Sequence, residues 1–265
     1  MKANYHCHTP RCHHAVGSEE EYVQAAIDAG FDVLGFSDHA PWPYRSGYQS
    51  GIRMGMDELS GYLDAVRRVK DQFRDDIVIH VGLEAEYFPR YRDHLHALLD
   101  QVVGYYLLGQ HSIECDEDED PLWTARSCEA DDEMVLRFAE RLTEGMRTGL
   151  YACVAHPDIY MRRRLPGDFS KACEQAAEMI AQCAMEMDIP LEYNLLGRKY
   201  QLEGEQGGYP NMDFWLHISR YPVRTIVGVD AHHPQLLREA SLWEEGHQAL
   251  RSLGFTVMDR LPMDA

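Results

Sequence analysis

The chain has 265 residues, 45% of them apolar, enough to bury a sizeable core and to withdraw roughly three quarters of the unfolded surface from water. Its formal charge of −19, from 25 basic against 44 acidic residues, sets the surface as a whole against a polyanion and argues against a nucleic acid polymer as partner. No run of 18 apolar residues and no signal-peptide core occur, and the seven cysteines form no CxxC pair, so a cytoplasmic protein with reduced thiols and no membrane contact is expected.

In chain order, short apolar runs alternate with longer helical patterns, the arrangement of repeated β/α units around a parallel sheet. Strands are expected over residues 3–8, 33–37, 77–83, 105–109, 152–155, 191–193 and 225–229. Ser18, with Glu21 three residues on, forms a capping box for the first helix, and Gly30 stops it. Later helices are expected to open at Asp57, at Asp131 or Asp132, at Asp168 or Ser170, at Asn211 and at Pro234. The stretch 41–55 is rich in Pro, Gly, Tyr and Arg and reads as a long loop after the second strand. The run 114–120, six acids in seven positions, reads as a solvated loop. With neither an internal repeat nor a linker-like segment, residues 1–265 are expected to form one domain.

Almost every expected strand ends in residues that ligate metals. Strand one ends in His6-Cys7-His8, two in Asp38-His39, three in Glu84 with Glu86, four in His111, five in His156 with Asp158, and seven in Asp230 with His232. The i, i+2 spacing of His6 and His8 turns both imidazoles to one side of a strand. In a parallel barrel the strand C-termini ring one mouth, so residues more than 220 positions apart become neighbours. Imidazole plus carboxylate, without a thiolate set, suits Zn, Mn or Fe, and the number of donors implies two or three divalent transition-metal ions. Such a cluster activates water and clamps the attacking and leaving oxygens of a displacement at phosphorus.

In order, His6-Cys7-His8-Thr9, Ser37-Asp38-His39, Gly82-Leu83-Glu84, His111, His156 and Asp230-Ala231-His232 resemble the PHP (polymerase and histidinol phosphatase) superfamily. The stretches His6 to Gly17 and Ser37 to Pro43 are most similar to its histidinol-phosphate phosphatase branch. The resemblance implies a distorted (β/α)7 barrel, TIM-barrel-like, with a trinuclear centre at the C-terminal mouth of the strands. It also implies a ligand division: one ion on His6, His8, Glu84 and Asp230, a second on Glu84, His111 and His156, and a third on His14, His39 and His232. His14, not His13, fits the family's spacing after Cys12. His80, His94, His96, His217 and His247 fall inside strand or helix patterns away from these motifs and read as structural or surface residues.

Phosphate binding calls for arginine, whose planar fork matches two phosphate oxygens. Arg162, Arg163 and Arg164 follow the fifth strand and Arg198 follows the sixth, in loops that carry arginine in the resembling phosphatases; Arg162, Arg163 and Arg198 are expected in catalysis and Arg164 at the substrate. Arg53, in the long second loop, resembles a family position and is expected to reach the substrate as that loop closes. Strand six ends in Glu192-Tyr193-Asn194 without an assigned ligand, which offers Asn194 to the substrate. Asp158 either protonates the leaving alkoxide or orients a ligand histidine, and Glu86 is read similarly.

The reading is a metal-dependent phosphomonoesterase, a histidinol-phosphate phosphatase in which metal-activated hydroxide attacks phosphorus and histidinol leaves. Two alternatives stand beside it: a PHP phosphoesterase acting on a nucleotide or other small phosphate ester, and a non-catalytic metal-binding or regulatory PHP-like protein. Gln110, the acidic run and Leu195-Leu196-Gly197 depart from the family pattern where substrate choice is at stake. The oligomeric state is not legible, because no heptad or exposed apolar stripe marks an interface.

Overall fold

The computed structural model describes residues 1–101, 104–122, 131–164, 167–204 and 208–263. The chain runs β1 (Ala3–Asn4), α1 (Glu19–Asp28), β2 (Val33–His39), α2 (Leu59–Gln72), β3 (Val78–Ala85), α3 (Arg92–Gln101), β4 (Tyr105–Leu108), α4 (Asp132–Met146) and β5 (Cys153–Val154). It continues through α5 (Lys171–Met187), β6 (Leu191–Asn194), α6 (Leu195–Leu202), α7 (Met212–Ile218), β7 (Arg224–Gly228), α8 (Pro234–Leu237), α9 (Ala240–Ser252) and β8 (Thr256–Val257). Helix starts follow side-chain chemistry: the Ser18 and Glu21 capping box opens α1, and Asp131, Ser170 and Asn211 cap α4, α5 and α7 through their side-chain oxygens. Helix α2 opens two residues beyond Asp57, and the helix expected from Pro234 breaks after Leu237 into α8 and α9.

All eight strands are parallel and lie side by side in sequence order. The expected barrel of β/α units is therefore what the chain builds, with β8 as a strand beyond the expected seven. Closure comes from the two ends of the sheet. Beyond β1 and β7 the main chain forms a parallel bridge between Cys7 and Ala231, with His8 N–H donating to Ala231 O at 2.9 Å and Ala231 N–H donating to His6 O at 3.0 Å. Asn4 accepts from Val229 N–H at 2.8 Å just below. At the opposite end of β7, Arg224 and Thr225 pair with Thr256 and Val257 of β8.

Two buried clusters flank the sheet. The larger packs the helices against its outer face, drawing on Tyr22, Tyr62, Phe138, Ile180 and Trp215. The smaller contains Tyr5, Val33, Tyr105, Leu107 and Ile226 and fills the barrel floor. Tyr105 forms much of that floor, its ring lying where a side chain on Gly35 or Gly82 would stand and its hydroxyl donating to Tyr5 O at 2.6 Å. Strand alternation then turns His39, Glu84, Glu192 and Asn194 inward above this floor.

Six cysteines, Cys7, Cys12, Cys115, Cys153, Cys173 and Cys183, are buried and free. Cys128 lies outside the described residues. The acidic run departs from expectation: Asp116 is 3% exposed and takes hydrogen bonds from Tyr44, Ser50 and Arg53. Glu117 accepts from the Arg45 and Ser46 backbone and from the Ser46 and Tyr91 hydroxyls. These acids anchor the loop 41–55 instead of facing water, because that loop offers them concentrated donors.

Candidate metal centre

The ends of the strands gather on Glu84. The register sets His39 of β2 opposite Glu84 of β3, and both carboxylate oxygens are ringed by imidazoles. Around Oε2 lie His39 Nδ1 at 3.1 Å and His6 Nε2 and His8 Nε2 at 3.4 Å each. Around Oε1 lie His156 Nε2 at 2.8 Å and His111 Nε2 at 3.4 Å. Asp230 Oδ1 closes the ring, 3.4 Å from His6 Nε2, 3.2 Å from His8 Nε2 and 3.3 Å from His232 Nδ1. Beyond them His14 Nε2 stands 3.0 Å from His232 Nε2. His156 and Asp230 hold left-handed backbone conformations, φ 30° and 54°, which cost about 1–3 kcal/mol each and turn the chain sharply at the mouth.

A further layer of acceptors sets which ring nitrogen faces inward. His6 Nδ1 is 2.8 Å from Glu192 Oε2, and His111 Nδ1 is 2.9 Å from Glu86 Oε1, so each donates outward and leaves Nε2 as a lone pair toward the centre. Asp38 plays a related part, 3.5 Å from His8 Nδ1 and itself fixed by the Thr9 backbone N–H and hydroxyl. His14 Nδ1 and His232 Nδ1 donate to the carbonyls of Cys12 and Asp230. Glycine leaves room for the central acids: a Cβ on Gly109 would lie 1.9 Å from Glu84 Oε1, and one on Gly228 would lie 2.4 Å from Glu192 Cδ.

The electrostatics match this ring. Burial alone would raise Glu84 and Asp230, yet His111, His6 and His39 around the first, and His6, His8 and His232 around the second, hold both well below the ordinary carboxylate range. Burial opposes charge on His6 and His8, but Asp230, Glu192, Glu84 and Asp38 outweigh it; His6 is raised well above its usual value and His8 to about 9. Burial, reinforced by the neighbouring His8, lowers His14, His39 and His232, the last to about 3.

This donor set fits divalent metal ions. His6 Nε2, His8 Nε2, His39 Nδ1, Glu84 Oε2 and Asp230 Oδ1 are buried polar atoms without a hydrogen-bond partner, all aimed at one space. His14 and His232 point two acceptor lone pairs at each other across 3.0 Å, an arrangement a shared cation relieves. Groups with ligand spacing include His6 with His8 and Glu84, His6 with His156 and Asp230, and His8 with His39 and His232. His39 sits against His8 and Glu84 and also stacks on His14.

The cleft above the ring has a volume of about 330 Å³ and is walled by Gly51, Ile52, Ile159, Leu196, Tyr200 and Tyr209, with Arg162 among them. Arg162 lines this cleft together with the imidazoles and acids, its guanidinium 5.1 Å over the Tyr200 ring. Arg163 closes the same short turn, and its side chain lies outside what is described.

Other expected contacts are corrected by the structure. Arg198 points to Glu245 on α9, with Nε 2.7 Å from Oε1; two positions from both Leu196 and Tyr200, it occupies the helix face opposite theirs. Arg164 is committed to Asp132 and Asp168 at 3.1 Å each. Arg53 does not approach the cleft, because its guanidinium is enclosed by Glu86 and Asp116. Asn194 serves the fold, capping α6 through Gly197 N–H and donating to Glu192 and Asp230. Asp158 does not line the cleft: it is fully buried and accepts from Asn211 N–H at 2.6 Å, tying down the segment ahead of α7, and burial raises it to about 7. The sequence reading missed Glu192 as a partner of His6. Its place two residues before a capping Asn, on an inward-facing register, was the available signal.

The PHP domain family matches residues 4–194, and the chain belongs to that family. A Deinococcus radiodurans protein named "Probable histidinol-phosphatase" is 30% identical over 233 residues, 86% of this chain and 85% of its own length. The Bacillus subtilis histidinol-phosphatase is 28% identical over 125 residues, 44% of this chain and 46% of its own. Histidinol phosphate phosphatase from Lactococcus lactis, whose crystal structure holds zinc, L-histidinol and phosphate, shares the fold at a TM-score of 0.73 and 17% identity, covering 97% of this chain and 95% of that one.

Proposed function

We propose that the protein is a histidinol-phosphate phosphatase, a phosphoric monoester hydrolase converting L-histidinol phosphate and water to L-histidinol and phosphate. The observation that carries the reading is the convergence of imidazoles and carboxylates on Glu84, with Arg162 lining the same cleft, which is sized for a small phosphate ester. The names of the relatives supply the substrate, and the Lactococcus protein's zinc, histidinol and phosphate supply a precedent within the fold.

His6, His8, Glu84 and Asp230 would hold one ion, Glu84, His111 and His156 a second, and His14, His39 and His232 a third, with zinc preferred by so many imidazoles. Divalent ions bound there make water a nucleophile near neutral pH and draw charge from phosphate oxygens. The chain's own residues do the rest. Arg162 binds the phosphoryl group through its fork, Glu192 and Glu86 hold the imidazoles of His6 and His111 in the ligating tautomer, and the apolar wall from Ile52 to Tyr209 orients the organic part. Residues 1–265 would act as one domain in the cytoplasm; among the described residues no helix is long and apolar enough to cross a membrane.

The test compares kcat/KM for histidinol phosphate with nucleotides and sugar phosphates, in wild type, His8→Ala and Glu84→Gln. Histidinol phosphate should lead the panel and both variants should lose turnover. A nucleotide or sugar phosphate turned over faster would refute the substrate, and full activity in either variant would refute the centre.

A further inference from the structure

One buried chain of charge-assisted hydrogen bonds joins the loop 41–55 and the acidic run to the metal centre. Its outer end is Asp116, which receives Tyr44 Oη at 2.7 Å on Oδ1, and Ser50 Oγ at 2.9 Å and Arg53 Nε at 3.1 Å on Oδ2. Arg53 directs Nη1 and Nη2 onto the two oxygens of Glu86, 2.8 Å each, and Nη1 also reaches Ala40 O at 3.2 Å. Glu86 Oε1 then accepts from His111 Nδ1 at 2.9 Å, and His111 Nε2 faces Glu84. The Arg53, Glu86 and Asp116 side chains are each at most 1% exposed.

Such a chain works only when complete. Glu86 fixes the tautomer and basicity of His111, and the bidentate fork of Arg53 fixes the plane of Glu86. Asp116 takes the guanidinium's remaining Nε–H, without which Arg53, although paired with Glu86, keeps a buried unmet donor. We infer that Asp116 is a positioning residue for His111, acting through Arg53 and Glu86, so that the loop 41–55 is part of the structure that holds metal. The inference rests on His111 being a ligand. The same loop carries Gly51 and Ile52 to the cleft wall, so releasing Asp116 loosens the wall and the imidazole together.

The test is Asp116→Asn in the metal-replete protein, read by the rate at which a chelator removes each equivalent of zinc and by the visible absorption of the cobalt-substituted protein. One equivalent should leave about 10-fold faster, with the others unchanged and the cobalt spectrum altered, while far-UV circular dichroism stays that of wild type. Should that variant not fold, Tyr44→Phe combined with Ser50→Ala removes both hydroxyl donors to Asp116 and should speed loss of the same equivalent. Stripping kinetics and a cobalt spectrum equal to wild type, or equal acceleration of every equivalent, would overturn the inference. His111→Ala run alongside separates the two levels: if it keeps all its metal, the ligand reading has failed, and if it loses one equivalent that Asp116→Asn keeps, only the positioning role has.

Discussion

Replacing Gly109 with alanine sets a Cβ 1.9 Å from Glu84 Oε1, 2.5 Å from its Cδ and 2.7 Å from its Cγ. An unstrained contact is about 3.5 Å, so the carboxylate must retreat by about 1.6 Å. Retreat is obstructed, because His156 and His111 already stand 2.8 and 3.4 Å from Oε1 and His39 stands 3.1 Å from Oε2. Overpacking of this kind costs about 1–3 kcal/mol, small enough against a total stability of about 5–15 kcal/mol for the chain to remain folded. Activity should suffer far more, since a displacement of about 1 Å at reacting groups costs about 100-fold. Gly109→Ala is therefore expected to melt several degrees lower, to bind less metal and to lose about 100-fold in kcat/KM for histidinol phosphate. Metal content by elemental analysis, thermal melting and steady-state kinetics measure all three. Full metal content with activity within about threefold of wild type would refute the reasoning.

Three further outcomes are expected. Arg162→Lys should lose about 10- to 100-fold in kcat/KM, the equivalent of about 1.5–3 kcal/mol for charged hydrogen bonds, whereas Arg198→Ala should stay within about twofold, since its partner is Glu245; steady-state kinetics of the two variants decides between the arginines. Burial works against ionised Glu117, but its Tyr91, Ser46 and Arg45 donors prevail and hold it at about 2 instead of 4.5. That contribution to stability is fully present above pH 4.5 and is lost as pH falls toward about 2. Urea titrations of the metal-stripped chain should show Glu117→Gln less stable than wild type at pH 6, with the gap narrowing as the medium is acidified through that window; a gap independent of pH would count against it. Gly61 lies in α2 with nothing within 4 Å of a Cβ, so Gly61→Ala should stabilise the chain by about 0.5–1 kcal/mol in denaturant unfolding and leave kinetics unchanged.

The residues that converge on Glu84 were legible because a parallel barrel converts position along the chain into position around a mouth: a histidine or acid ending a short apolar run has one place to go. Helix caps were legible for a similar reason, since Ser18, Asp131, Ser170 and Asn211 satisfy backbone donors only a few residues away. The arginines were not. Being long and flexible, Arg53, Arg164 and Arg198 are directed by whichever carboxylate lies nearest, and Asp116, Asp132 and Glu245 are neighbours set by tertiary packing. Helix α6 was hidden by its departure straight from β6, although Asn194 with Gly197 three residues on was a readable start. Strand β8, two residues long, exists only by pairing with β7 and carries no periodicity of its own.

The bridge between Cys7 and Ala231 gives the centre a temporal character. His6, His8, His39, Glu84, His111 and His156 all emerge during synthesis well before Asp230, yet Asp230 supplies a second oxygen, beside Glu84 Oε2, that reaches both His6 and His8. Contacts spanning more than 220 residues carry a large loop-closure penalty and form late in folding. On the proposed division of ligands, the ions that need Asp230 or His232 would be retained only after closure, and a product truncated within β7 should differ from the full chain by failing to hold those ions, with Glu84, His111 and His156 still present.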